Sequence, residues 1–146
     1  MATPTKESTK KANKLLKKDY IFAVGRRKSA IARVRLFNGK AESTVNGKPA
    51  KDYFPGDVNA FMFSQAMKTV DASDKYYVTV KVVGGGVQGQ VEAVSLGIAR
   101  SLEKIKKEHR PALKKAGLLT RDARVRERRK VGMGGKARRQ RQSPKR

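Results

Sequence analysis

One stretch limits the folds open to this chain more than any other: a strand-like run, three glycines, then a long amphipathic stripe. Tyr76 to Val83 (YYVTVKVV) is β-branched or aromatic at most positions, the composition of a pleated, half-buried strand. Gly84-Gly85-Gly86 interrupts it. Beyond the glycines, Val87, Val91, Val94, Ile98, Leu102 and Ile105 recur at spacings of 4, 3, 4, 4 and 3. That rhythm predicts a helix to about Glu108 with one buried face. Lys104, Lys106, Lys107 and Arg110 gather at its end, where the helix dipole is negative.

Upstream, Tyr20 to Asn38 forms the first structured unit. YIFAV is short and apolar, GRRKS is a basic interruption, and AIARVRLF alternates. Ile31, Arg33, Arg35 and Phe37 share one parity and Ala30, Ala32, Val34 and Leu36 the other, which predicts a strand with an arginine-bearing outer face. Asn38-Gly39 closes it. Glu42 to Val45 reads as a short strand, Asn46-Gly47 as a turn, and Ala50 to Phe54 as a helical turn or irregular. Asp57 is expected to cap a helix from Val58 to about Thr69, with Val58, Phe61, Met62 and Ala66 as its buried stripe. After the long helix, Pro111 starts a short one over Ala112 to Ala116, and Gly117 ends it. Leu118 and Leu119 can then pin the chain to the core.

From Arg121 onward the character changes. Arg121 to Arg146 carries twelve Lys and Arg (Arg121, Arg124, Arg126, Arg128, Arg129, Lys130, Lys136, Arg138, Arg139, Arg141, Lys145, Arg146) against Asp122 and Glu127. Its only large apolar side chains are Val125, Val131 and Met133, too few for a core. Three segments follow: a disordered basic extension over 1–19, a globular domain over 20–119, and an extended basic arm over 120–146 that is disordered by itself. The formal charge of +24 divides as +4, +10 and +10 over residues 1–19, 20–120 and 121–146. A basic domain joined to an arginine-rich arm calls for a polyanionic partner, and nucleic acid is the first candidate. Arg26, Arg27, Lys28, Arg33 and Arg35 add candidate phosphate contacts.

Other chemistries lack their parts. There is no cysteine, so neither a disulfide nor a thiolate metal site is possible. No apolar run approaches the roughly 18 residues of a membrane span, and residues 1–19 resemble neither a secretory signal nor a good transit peptide. Gly84, Gly86 and Gly89 fit G-x-G-x-x-G, but the second strand with its acidic residue is missing. The glycines serve either a tight turn or a phosphate contact. His109 has no oriented partner, and Asp71 and Asp74 suit a turn. No enzyme, metal or cofactor is expected. A free architectural DNA- or RNA-binding protein remains open on composition.

Three segments resemble, in order, the signatures of the small-subunit ribosomal protein nine family: VGRRKSAIARVRL (Val24 to Leu36), VVGGGVQGQVEAVSLGIARSL (Val82 to Leu102) and KKAGLLTRDARVRERRKVGMGGKARR (Lys114 to Arg139). The resemblance covers Tyr20 to Arg146. It implies an α/β (α+β) fold, a compact two-layer domain whose small mixed sheet is backed by helices. It implies a structural protein of the small-subunit head, beside other head proteins. Its rRNA contacts would come from Arg26, Arg27, Lys28, Arg33, Arg35, Gly84, Gly85, Gly86 and the arm cations Arg121 to Arg141. Lys145 and Arg146 would reach the peptidyl-site tRNA. The Lys-Arg ending resembles the bacterial branch and favours a cytoplasmic over an organellar ribosome. Ser95 and Val131 depart from the family's frequent Arg and aromatic, and the ending lacks the usual aromatic.

Overall fold

A computed structural model describes residues 19–128 together with 130 and 131. Among the described residues, five strands and four helices follow in chain order: β1 (Tyr20–Arg27), β2 (Ala30–Asn38), β3 (Thr44–Val45), β4 (Lys48–Pro49), α1 (Ala50–Tyr53), α2 (Asp57–Thr69), β5 (Tyr76–Val83), α3 (Val87–Ile105) and α4 (His109–Lys115). The sheet order is β1-β2-β5-β3-β4. Every pair is antiparallel except β3 with β5, so the sheet is mixed.

Strand parity decides which side of the sheet is covered. Ala32 of β2 pairs with Gly25 and Val82, and Val34 with Ala23 and Val80. These residues share the covered face, and Ala23, Ala32, Val34, Val80 and Val82 are buried. Within the described residues the helices gather on that side, giving two layers: α3 lies directly against the sheet, and α2 and α4 pack on α3. α3 is the centre of the packing. Its stripe Val91, Val94, Ile98 and Leu102 is fully buried, and so are Ala93 and Ala99, because the helix is held between the sheet and α2.

Two glycines allow that closeness. A Cβ on Gly25 would stand 1.8 Å from the Ala93 carbonyl oxygen, and one on Gly97 would stand 2.5 Å from Val34 Cγ2. β1 and α3 therefore meet backbone to backbone. The basic ends of α3 also finish the outer edge of β1: Arg100 Nη1 donates to Val24 O at 2.8 Å and Lys104 Nζ to Phe22 O at 2.7 Å. Those carbonyls would otherwise be open to a foreign strand.

The long helix stops at Ile105, three residues before the expected end, and α4 begins at His109 rather than Ala112. Pro111 is tolerated as the third residue of α4 because first-turn N–H groups have no intrahelical partner. α4 closes with Gly117 at φ 73°, its N–H on Lys114 O and the Leu118 N–H on Leu113 O. That pair of bonds is a Schellman cap, and it turns Leu118 back over buried Leu113. Leu118 and Leu119 pack against the core as expected.

α2 departs from its sequence reading. Gly56, not Asp57, stands at the N-cap, and Asp57 is the first helical residue. Val58 and Phe61 are 67 % and 55 % exposed. The buried side is instead Met62, Phe63, Ala66, Met67 and Val70. The helix is apolar on two overlapping faces, and the face that wins is the one that also meets buried Phe54, 6.4 Å from the Phe63 ring.

Candidate nucleic-acid interface

Among the described residues, the other face of the sheet carries no helix. Its positions are Tyr20, Phe22, Val24 and Arg26 on β1, Ile31, Arg33, Arg35 and Phe37 on β2, and Tyr77, Thr79, Lys81 and Val83 on β5. None is a carboxylate. At one end a row of rings holds the strands together: Tyr20 and Phe37 are 5.5 Å apart, and Phe37 stacks on Tyr77 at 5.1 Å. The Arg35 guanidinium lies 5.2 Å from the Tyr20 ring centre.

Beyond the rings, Arg26, Arg33, Arg35 and Lys81 stand among the uncharged Phe22, Val24, Ile31, Thr79 and Val83. Arg33 stands directly opposite Lys81, and both are exposed. Like charges at opposed cross-strand positions destabilise a sheet unless an anion lies over them. Lys81 was not singled out in the sequence, where its parity within YYVTVKVV was the available signal. Arg35 and Lys81 also line a shallow depression of about 520 Å³ with Asn46, Gly47, Thr79 and Val83.

The glycine turn lies against the tip of the β1–β2 hairpin. Gly84 and Gly85 have φ of 75° and 68°, where L side chains are strained, and a Cβ on Gly84 would stand 2.5 Å from Ser29 O. The tight turn thus accounts for both. A Cβ on Gly86 meets nothing within 4 Å. The turn is held from the side by Asn46, whose side chain accepts from Val82 N–H at 2.9 Å and donates to Val82 O at 3.0 Å, extending the β3–β5 pairing. Tyr53 Oη joins Asn46 to Gln90, which donates to Gly84 O at 3.1 Å.

Neighbouring arginines have opposite surroundings. Arg26 is exposed on the open face, as Arg33 and Arg35 are, and Lys28 is exposed in the hairpin turn at φ 51°. Arg27 has the other parity and is 9 % exposed. Its Nε donates to Glu92 of α3, its Nη1 to Arg124 O at 2.9 Å, and its Nη2 pairs with Asp122 Oδ2 at 3.0 Å. Asp122 in turn binds Arg124 through the backbone N–H at 2.9 Å and through Nη2 at 2.6 Å. Two arginines and two carboxylates make a charge-balanced cluster at the start of the arm.

Hydrogen bonds from the Arg124 side chain and amide, with Arg27 beyond, hold the Asp122 carboxyl well below the usual carboxylate range. A depressed carboxylate stabilises the structure above its unfolded value and loses that contribution only as pH falls through the lower folded value. The Arg124 amide proton should therefore keep its chemical shift from about pH 6 down to about pH 3, through most of the range in which ordinary carboxylates titrate. A titration of that resonance in this window would contradict the bonding described.

Arg121, Arg126, Arg128 and Lys130 are exposed. Arg129, Lys136, Arg138, Arg139, Arg141, Lys145 and Arg146 lie outside the described residues, as do residues 1–18. Ser95 is 7 % exposed within the α3 packing and offers a partner little. Asp71 sits in a turn at φ 48°, and Asp74 pairs with Lys40 at 3.2 Å on the surface. Among the described residues no cluster of His, Cys, Asp and Glu could hold a metal ion, and no helix is long and apolar enough to cross a membrane.

The profile of a family described as ribosomal protein S9/S16 matches residues 25–146. The chain is 48 % identical over 120 residues to small ribosomal subunit protein uS9 of Maridesulfovibrio salexigens, spanning 82 % of this chain and 92 % of that one. It is 51 % identical over 112 residues to the uS9 of Leifsonia xyli, spanning 76 % and 67 %. It is 46 % identical over 114 residues to the uS9 of Amoebophilus asiaticus, spanning 78 % and 89 %.

Proposed function

This chain belongs to the ribosomal protein S9/S16 family, and on that premise we propose that its open sheet face and basic arm bind rRNA in the head of the small subunit. It is a structural constituent of the small ribosomal subunit and not an enzyme. The observation that carries the rRNA reading is the carboxylate-free open face, with Arg33 opposed to Lys81 and Arg26 and Arg35 beside them. Phosphate is the ligand that relieves that repulsion. Arg's planar fork binds it bidentately and Lys as a point charge. Lys28 at the hairpin tip extends the surface, and the exposed glycine turn beside it lets a backbone approach closely. Arg121, Arg126, Arg128 and Lys130 carry it into the arm, with Arg129, Lys136, Arg138, Arg139 and Arg141 beyond. Head proteins beside it are further partners. Arg27 would contribute from inside, through the start of the arm.

The finer part of the proposal is a contact from Lys145 and Arg146 to peptidyl-site tRNA. Two further cations near a phosphate each supply a charge-assisted bond of roughly 1.5–3 kcal/mol, less under solvent screening. Deleting Ser143 to Arg146 leaves ten of the arm's twelve cations, so subunit assembly should proceed. Dissociation of peptidyl-site tRNA from reconstituted subunits should then quicken several-fold at matched salt and matched protein occupancy. Equal dissociation rates would remove the tRNA contact and leave the rRNA reading standing.

A further inference from the structure

We propose that Arg27 is a positioning residue: it latches the start of the basic arm to the domain and so sets the direction in which the arm leaves it. Three independent partners converge on one guanidinium. Glu92 reaches it from α3, Asp122 pairs with it at 3.0 Å, and the Arg124 carbonyl accepts from it at 2.9 Å. Two of the three belong to the arm. The latch is set where the chain has just left its last helix, after the cap that turns Leu118 and Leu119 onto the core.

The local geometry explains why arginine is needed. Arg27 ends β1 on the covered face, opposite Ala30, whose small side chain leaves room for it. At 9 % exposed it is largely withdrawn from water, and a buried cation must be paired. A guanidinium offers several donors in one plane, so it can hold a helix carboxylate and two groups of the arm together. An ammonium cannot span the same three acceptors. Asp122 completes the latch by folding Arg124 back on itself, which presents the Arg124 carbonyl to Arg27. Without the latch, an arm of this charge would leave Leu119 in many directions. Fixing its first residues removes part of the ordering entropy that binding must otherwise overcome.

The chain has no cysteine, so one introduced at Val125, itself 67 % exposed, carries the only spin label. In the full chain without RNA, the label should show restricted motion. Asp122→Ala, and separately Arg27→Lys, should shift it to the line shape of a free chain. An unchanged line shape in both variants would overturn the latch, whether or not the arm binds RNA. Affinity for small-subunit rRNA supplies a second measurement, which rests on the functional reading above. Glu127→Ala removes an arm carboxylate with no part in the latch and should tighten binding. Asp122→Ala removes one too, yet should weaken binding about three- to tenfold, because the arm is no longer aimed. If Asp122→Ala instead tightens binding or leaves it unchanged, Arg27 acts as an ordinary phosphate contact and the proposal fails.

Discussion

Replacing Gly25 with Ala is expected to destabilise the domain severely, although the change adds a single methyl group. A Cβ there would stand 1.8 Å from the Ala93 carbonyl oxygen and 2.6 Å from the Gly97 nitrogen. Both are backbone atoms of α3, so no side-chain rotation relieves the contact. Gly25 is not among the glycines at positive φ, so the effect is steric and not a matter of backbone strain. β1 and α3 would have to separate, opening the layer filled by Val34, Val94 and Ile98. Overpacking ordinarily destabilises by about 1–3 kcal/mol with side chains free to adjust; against two backbone atoms, roughly 4 kcal/mol or more is expected. Domains of this kind hold about 5–15 kcal/mol in all. The thermal midpoint should fall by roughly 15 °C or more. Gly86→Ala is the control, because its Cβ meets open space; Gly86 is the N-cap of α3, where Ala serves less well than Gly, so a loss of no more than about 1 kcal/mol is expected. A Gly25→Ala midpoint as close to the parent as that of Gly86→Ala would mean the β1–α3 approach is looser than described.

Elements that bury one face were legible because their period is written in side-chain type. β2 alternates Ala30, Ala32, Val34, Leu36 against Arg33 and Arg35, and the structure buries the first set and exposes the second. β5 runs over Tyr76 to Val83 as its composition indicated, and Val91, Val94, Ile98 and Leu102 line the buried side of α3. What was not legible depends on contacts between distant segments. The register of β1 decides that Arg26 faces out and Arg27 faces in. Reading GRRKS as an interruption hid that parity, although extending the alternation Ala23, Gly25, Arg27 by one strand step would have exposed it. Gly25 opens the GRRKS stretch, and nothing local marks its constraint, which comes from Ala93, far along the chain. α2 offered two apolar faces, and only Phe54 and the core settle which is buried. The latch joins residues 27, 92, 122 and 124, and no local pattern announces a meeting of that kind.

Truncating the arm after Arg124 should roughly halve the salt dependence of rRNA binding while leaving the domain and its latch in place. The cut removes ten of the arm's twelve cations and keeps Arg121 and Arg124. Asp122 stays, and the Arg124 carbonyl becomes a terminal carboxylate that can still accept from Arg27, so the latch is kept. Each neutralised phosphate contributes roughly 0.7–0.9 to the slope of log K against log salt. If the arm and the open face together neutralise about ten phosphates, the full chain should show a slope near −7, and a fourfold rise in salt should weaken binding by about four decades. The truncated chain keeps Arg26, Lys28, Arg33, Arg35 and Lys81 on the domain surface. Some five contacts give a slope near −3.5 and a loss of about two decades over the same range. Charge swaps on the open face supply the complementary test. Arg33→Gln together with Lys81→Gln removes two cations that repel one another across the strands, so the free domain should gain slightly in stability while its RNA slope falls by about 1.5. A domain that loses stability on that double change would deny the repulsion on which the interface was inferred. A slope left intact by truncation would place the binding energy in the sheet face, and the arm would then be a tether that follows the RNA without holding it.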